Sequence, residues 1–384
     1  MKLFVQGGFF LLVRYGKKEN GALVKKALVY TRGEHNIDPA AVDSEAVFIT
    51  GRLRANGYDG YVVGGAVRDL ILGRRPKDFD IATNATPARI KKLFRNSRII
   101  GRRFRLVHVF FGPRIFEVST FRSLKDGHTG NTYGTIDEDV LRRDFSFNAL
   151  YYDPGKQIVV DYVGGVADIK KKRLTPVIPP EVIFKDDPVR MIRAVKYAAA
   201  CGFKVPWFLM RRIKKESVLL ETASSSRLTE ETIKIINSVH AAEIAANLEE
   251  AGLYAYLQKN AAILMRKDAG FRKNYLKSLA QNCGSEKAGQ SLSALIRDYL
   301  DSVCDWSAKP ANLSKTEETK WHSGNLELFR KMFFEARRFL LPMNPPKLEL
   351  EKALRLVFAE HGREVRKTRI FDRPRRPAAK PDRL

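Results

Sequence analysis

One stretch constrains the fold more than any other: Tyr61 to Ile81, YVVGGAVRDLILGRRPKDFDI. Tyr61–Val63 is a short apolar run that reads as a strand, and Gly64-Gly65 reads as a turn. Ala66 to Leu72 is a short amphipathic segment closed by Gly73. A second strand is expected to carry Asp78 and Asp80. Side chains alternate faces along a strand, so the two carboxylates would share a face and Phe79 would take the other. Paired carboxylates repel unless a cation sits between them, and hard oxygen ligands suit Mg²⁺. A glycine pair leaves backbone N–H groups open to phosphate oxygens. A dinucleotide-binding turn is disfavoured, because no G-x-G-x-x-G follows the strand. Gly-Gly or D-x-D alone would be no more than a turn or a solvated loop. Together, each beside a strand, they point to metal and phosphate.

Charge narrows the partner. The chain has 384 residues, with 69 Lys and Arg against 43 Asp and Glu, a net charge of +26 and a pI near 10.0. Such an excess calls for a polyanion, nucleic acid first and an anionic membrane second. No stretch reaches the length of a membrane span. Cys201, Cys283 and Cys304 are too scattered for a disulfide framework or a zinc site, which fits a reducing cytoplasm. The apolar run Phe4 to Val13 is broken by Gln6-Gly7-Gly8 and lacks a cleavage signal, so residues 1–34 are expected to be an unstructured leader rather than an export signal.

Along the chain, Asp38-Pro39 is expected to start a helix that runs to about Ala55 and ends at Asn56-Gly57. Thr86-Pro87 opens another. From Arg89 to Arg105 there are eight basic residues and no acid, Arg102, Arg103 and Arg105 among them. That run is either a solvated helix face or a phosphate contact. Leu106–Phe111 and Ile115–Phe121 form a hairpin around Gly112-Pro113. Glu117 is a lone acid in the second of these strands; a third metal-facing carboxylate or a buried salt bridge would explain it. RRDFSFNALYYD, Arg142 to Asp153, reads as a helix, and Ile158 to Tyr162 as a strand. Beyond residue 180 the pattern is helical, beginning with the helix after Asp187-Pro188. The tail from His361 holds nine Lys or Arg, three acids and Pro374, Pro377 and Pro381, and is expected to be disordered.

These residues suggest nucleotidyl transfer from a nucleoside triphosphate to a hydroxyl, at the 3′ end of an RNA. Asp78, Asp80 and Glu117 would hold two Mg²⁺ ions. Gly64, Gly65 and Arg68 would take the triphosphate. Asp187 and Arg190, three apart on a helix, share a face. An acceptor beside a donor matches the pairing edges of adenine and cytosine and opposes those of guanine and uracil. An ordinary helical ion pair is the other reading.

A set of motifs carries a resemblance. VVGGAVRDLILGRRPKDFDIATNATP, IIGRRFRLVHVFF, EVSTFR, RRDFSFNALYYD, DYVGG and DDPVRMIRAVKYAA follow in that order. The chain resembles the bacterial poly(A) polymerases of the tRNA nucleotidyltransferase/poly(A) polymerase family, class II nucleotidyltransferases, strongly over residues 35–205. The resemblance implies an α/β, palm-like head with a mixed sheet, followed by an all-helical neck, body and tail. Its expected bounds are a head over 35–180, a base-reading neck over 181–240, an RNA-binding body over 241–360 and a basic tail over 361–384. It implies Asp78 and Asp80 as metal ligands with Glu117 as the third carboxylate, and Gly64, Gly65 and Arg68 at the triphosphate. It implies Arg143 and Asp144 at the nucleotide's sugar, and Asp187 with Arg190 reading the base. The family usually has Glu-Asp where this chain has Asp186-Asp187. The basic IIGRRFRLVHV segment and the Arg-Pro tail, with Arg373, Arg375 and Arg376, resemble the polymerase version rather than the CCA-adding one. The implied activity is template-independent addition of AMP from ATP to RNA 3′ ends, by a cytoplasmic monomer without a membrane partner. CCA addition to tRNA and RNA binding without catalysis are the alternatives.

Overall fold

A computed structural model of the protein describes residues 2–6, 9–17, 23–101, 106–123, 132–281, 290–307 and 314–365. The chain forms two compact units, residues 1–219 and 220–384.

The first unit is built on one ten-stranded sheet. Its strands are β1 (Lys2–Gln6), β2 (Phe9–Lys17), β3 (Leu23–Tyr30), β4 (Tyr61–Val63), β5 (Asp80–Thr83), β6 (Ser97–Ile100), β7 (Leu106–Phe111), β8 (Arg114–Thr120), β9 (Leu150–Asp153) and β10 (Ile158–Asp161). They lie in the order β1-β2-β3-β10-β9-β4-β5-β8-β7-β6. Neighbours are antiparallel except β5 and β8, which run parallel, so the sheet is mixed. Val62, Ile81 and Val118 form one buried row, on the face that the helices Ser44–Ala55 and Pro87–Leu93 cover. Tyr61, Val63, Ala82 and Tyr151 belong to the other face, where Ile136 and Val140 of the helix Ile136–Leu141 join the same core.

Several elements differ from the sequence reading. Residues expected as an unstructured leader form β1, β2 and all of β3, and β3 joins the rest of the sheet through β10, with Val29 opposite Val160. Alternation explains β3: Ala27 and Val29 are buried, while Lys26 is exposed and Leu28 only partly covered. The helix expected from Asp38 is split. A 3-10 turn covers Pro39–Ala41, and a second cap, the Asp43 carboxylate accepting from Glu45 N–H at 2.9 Å, starts the helix Ser44–Ala55. RRDFSFNALYYD is not a helix. It makes a 3-10 turn at Ser146–Asn148 and then β9, where Tyr151 and Tyr152 pair with both β4 and β10. Aromatic residues buried on both sides favour that strand. β6 lies within the basic run, with Arg98 opposite His108 of β7.

The second unit is helical throughout its described residues, from Ser225–Ile236 to Lys347–Glu360. Phe329, Phe333, Phe339 and Phe358 are fully buried, and the hydroxyls of Tyr254 and Tyr275 satisfy each other at 2.9 Å inside it. The beginning of the expected tail is folded. Arg363 is buried over the Trp321 ring and donates to Asn325 Oδ1 at 2.8 Å and to the Ser307 carbonyl at 2.7 Å. Residues 366–384 lie outside the described residues.

His35 is buried where the chain leaves β3. Its Nδ1 accepts from Ile37 N–H at 2.9 Å, so Nε2 carries the proton and donates to the Gln157 carbonyl at 3.1 Å. Burial lowers its pKa from 6.5. The unfolded chain therefore binds the extra proton first, and the stability this ring contributes is complete above the ordinary value and lost as pH falls through it. The melting temperature should drop between pH 7.5 and 5.5, and His35→Gln should shrink that drop in calorimetry; an equal drop in the variant would exclude His35 as its source.

Candidate nucleotide-binding and metal site

The turn after β4 shows why two glycines stand there. Gly64 sits at φ +71° and ψ −134°, a conformation that side chains strongly disfavour, and Gly65 begins the helix Gly65–Ile71. A Cβ on Gly64 would lie 3.5 Å from Nη1 of Arg143, and one on Gly65 3.5 Å from Nη2 of Arg68. Two guanidinium groups therefore rest against the turn.

Each is held by several partners. Arg68 donates through Nε to Asp69 Oδ1 and through Nη1 to Asn148 Oδ1, both at 2.9 Å, and lies over the Tyr197 ring. Arg143 donates to the Tyr151 hydroxyl at 3.0 Å, the Asn148 carbonyl at 3.2 Å and Asp139 Oδ2 at 3.2 Å. The Tyr151 hydroxyl donates in turn to Asp139 at 2.7 Å. Burial opposes the charge on Arg143, but Tyr151 and Asp139 outweigh it and raise its pKa. Burial also pushes the Tyr151 hydroxyl well above 10, so it stays a neutral donor.

Asn148 links this group to the next. Its Nδ2 donates to Asp144 Oδ1 at 3.2 Å, which also accepts from Phe145 N–H at 2.8 Å, while Asp144 Oδ2 lies 3.8 Å from Arg193. Asp187 and Arg190 are both buried, with Oδ2 and Nε 3.6 Å apart. Arg190 donates through Nη2 to the Arg142 carbonyl at 2.6 Å. Its Nε and Nη1 are buried without a hydrogen-bond partner among the described residues. Burial lowers the pKa of Arg190, against Asp144 and Asp187. Unsatisfied buried donors are costly, and a guanidinium keeps its charge, so such an edge suits an acceptor brought by a ligand.

The carboxylates stand at the sheet's edge of exposure. β5 begins at Asp80, so Asp78 lies before the strand rather than in it. Pro76 is buried two residues earlier, and proline suits a strand's approach better than its ladder. Asp78 and Asp80 are both exposed. Ile81 pairs with Val118, and continuing that parallel pairing by one residue sets Asp80 beside Glu117 on the same face. Glu117 is exposed rather than buried, and its carboxylate lies 3.4 Å from His108 Nε2. Among the described residues, no three His, Cys, Asp or Glu side chains are gathered as a ready metal site. The donor set still fits Mg²⁺: exposed carboxylates on neighbouring positions, with Glu117 able to join by turning from His108.

A cleft of about 1080 Å³ reaches Asp78 and is lined by Arg74, Arg75, Lys77, Phe79 and Arg114, but by none of Gly64, Arg68, Asp80 or Arg143. It is a neighbour of the site rather than the site. The expected RNA contacts Arg102, Arg103, Arg105, Arg373, Arg375 and Arg376 lie outside the described residues. Sequence reasoning missed Asn148, Asp139, Tyr151 and Tyr197. Only Asn148 gave a signal, as an amide inside an otherwise apolar run.

This is the fold of a class II nucleotidyltransferase head. The family described as "Poly A polymerase head domain" matches residues 60–175, and that described as "Probable RNA and SrmB- binding site of polymerase A" matches residues 202–264. Two stretches of the chain, the head and the segment that follows it, are thus similar to the tRNA nucleotidyltransferase/poly(A) polymerase family. It is 40% identical to Poly(A) polymerase I of Escherichia coli O6:H1 over 59% of this chain and 52% of that one. It is 33% identical to the CC-adding tRNA nucleotidyltransferase of Halalkalibacterium halodurans over 56% of this chain and 54% of that one. The chain thus spans about half the length of these relatives. The crystal structure of Bacillus stearothermophilus CCA-adding enzyme in complex with CTP superposes with a TM-score of 0.56 at 28% identity, covering 82% of both chains. No helix among the described residues is long and apolar enough to cross a membrane.

The strained turn gives a direct test. Gly64→Ala forces a Cβ into a positive-φ position beside Arg143, and should cost about 1–3 kcal/mol in urea unfolding. An unchanged midpoint would mean that the turn relaxes freely.

Proposed function

We propose that this chain is a template-independent poly(A) polymerase that adds AMP from ATP to RNA 3′ ends. The observation that carries the reading is the buried Arg190 edge, with two nitrogens lacking a hydrogen-bond partner among the described residues, beside Asp187. An adenine N1 would accept from Arg190, and its N6 amino group would donate to Asp187. Cytosine offers the same sense; guanine and uracil would leave both groups mispaired, a strong basis for rejection.

Gly64 and Gly65 N–H groups and Arg68 would take the triphosphate, with Arg143 and Asp144 at the sugar. The RNA 3′ oxygen attacks the α-phosphorus as the bond to the bridging oxygen of pyrophosphate breaks, and the Arg68 guanidinium bears the leaving group's charge. Asp78, Asp80 and Glu117 would hold two Mg²⁺ ions, which supply activation of the attacking hydroxyl and neutralisation of the leaving pyrophosphate. The net charge of +26 suits a substrate bound by its phosphates. The head would extend to about residue 180, followed by a base-reading neck and an RNA-binding helical body.

CCA addition is the second reading, favoured by the 82% coverage of the CCA-adding structure. Incubation with Mg²⁺, an unstructured RNA and a tRNA lacking its 3′ end, with each nucleoside triphosphate separately, decides between them. The expected result is a long adenylate tail on the unstructured RNA, with UTP and GTP poor. Use of CTP first, stopping after a single A on tRNA alone, would establish CCA addition instead.

Two sets of variants test the residues. Asp78→Ala or Asp80→Ala should abolish addition with the fold intact; activity within about tenfold of wild type, some 1.4 kcal/mol of barrier, would sink the metal assignment. Arg190→Ala should slow ATP use and relax the choice of base while Mg²⁺ dependence stays, and a variant that keeps full preference for ATP would remove Arg190 from base reading.

A further inference from the structure

The helix Trp207–Glu216 carries a face that the fold does not use. Leu209 and Ile213 are fully buried, on the side packed against the helix Pro180–Asp186. At the helical period, Trp207, Arg211, Lys214 and Lys215 fall together on the opposite side, and all four are exposed. Trp207 is 74% exposed, the most of any large apolar side chain among the described residues. Phe208 beside it is exposed too, with its ring edge-on to the indole.

The charges on this face are of one sign. Arg212, on the flank, is neutralised by Glu216 at 2.8 Å. Arg211, Lys214 and Lys215 make no ion pair among the described residues, and no acid occurs between Asp187 and Glu216 in the sequence. A large exposed aromatic costs solubility and marks a contact surface. Cores of protein-docking surfaces are depleted of charge, and especially of lysine. A row of cations headed by bare aromatic rings instead matches a polyanion whose bases have open π-faces. A duplex hides those faces, whereas a single strand offers them.

We propose that Trp207 and Phe208 form a stacking platform for bases of single-stranded RNA, whose phosphates run along Arg211, Lys214 and Lys215. The inference rests on the RNA substrate proposed above. It goes beyond the family description of residues 202–264 by assigning the face, the contacts and the strandedness.

The test uses the full chain and a short fluorescein-labelled oligoadenylate without nucleotide, so that chemistry plays no part. Trp207→Ala should weaken binding about tenfold without moving the melting temperature. Trp207→Phe should restore most of the affinity and Trp207→Leu should not. Affinity for a duplex of equal length should be the same in all of them. Replacing Arg211, Lys214 and Lys215 together by alanine should reduce the salt slope by about 2, whereas Trp207→Ala leaves it unchanged. Equal affinity of Trp207→Ala and wild type would overturn the platform. So would rescue by Trp207→Leu, which would indicate an apolar contact with a protein or a second copy. Wild-type protein that binds no single-stranded RNA would overturn the RNA reading itself.

Discussion

The half-buried charge of Arg143 is the constraint on which the site depends. A guanidinium withdrawn from water needs its donors matched, and here three separate pieces of chain match them. Asp139 comes from the helix Ile136–Leu141, Tyr151 from β9 and the Asn148 carbonyl from the turn before it. Satisfying one side chain thus fixes the path of RRDFSFN across the end of the sheet. The same path presents Asn148 to Arg68 and Asp144, and lays Arg143 against Gly64. The glycine turn and the Asp187–Arg190 pair are linked through Asn148 and the Arg142 carbonyl.

Sheet register does for the carboxylates what Arg143 does for the glycine turn. Parallel pairing of β5 with β8 places Asp80 at the level of Glu117. Helices on both faces bury the rows beyond, so the carboxylates emerge where the packed core ends. On its other side Asp80 pairs with the buried Val63 of β4, the strand that leads into the glycine turn.

Much of this was legible in the residues. The glycine turn, the helix after it, the hairpin of β7 and β8 and the helix Val189–Cys201 follow from local signals: positive-φ glycines, alternation and a proline at a helix start. The mixed sheet with a helical second half was also expected. What failed were segments whose partners are distant. LYYD reads equally as helix or strand until β4 and β10 are known to flank it. β3 carries Lys25 and Lys26 and so looks like solvent-facing leader; its pairing with β10 decides the matter. Asp38 is a true cap, yet the nearby Asp43 takes over the longer helix. Asn148 is an amide like any other until Arg68 arrives from a distant part of the chain.

Strand order has a consequence for how the chain is made. β3 pairs with β2 on one side but finds its other neighbour in β10, so Val29 meets Leu12 early and must wait for Val160, and β4 has β9 as one of its two neighbours. Local hairpins such as β1–β2 and β7–β8 can close as they emerge from the ribosome, but the middle of the sheet cannot close until residue 161 has left the exit tunnel. Long-range pairings of this kind form slowly. During synthesis β4 therefore lacks β9 and β3 lacks β10, so the two halves of the sheet stay unjoined until both strands are made, a state that leaves strand edges open.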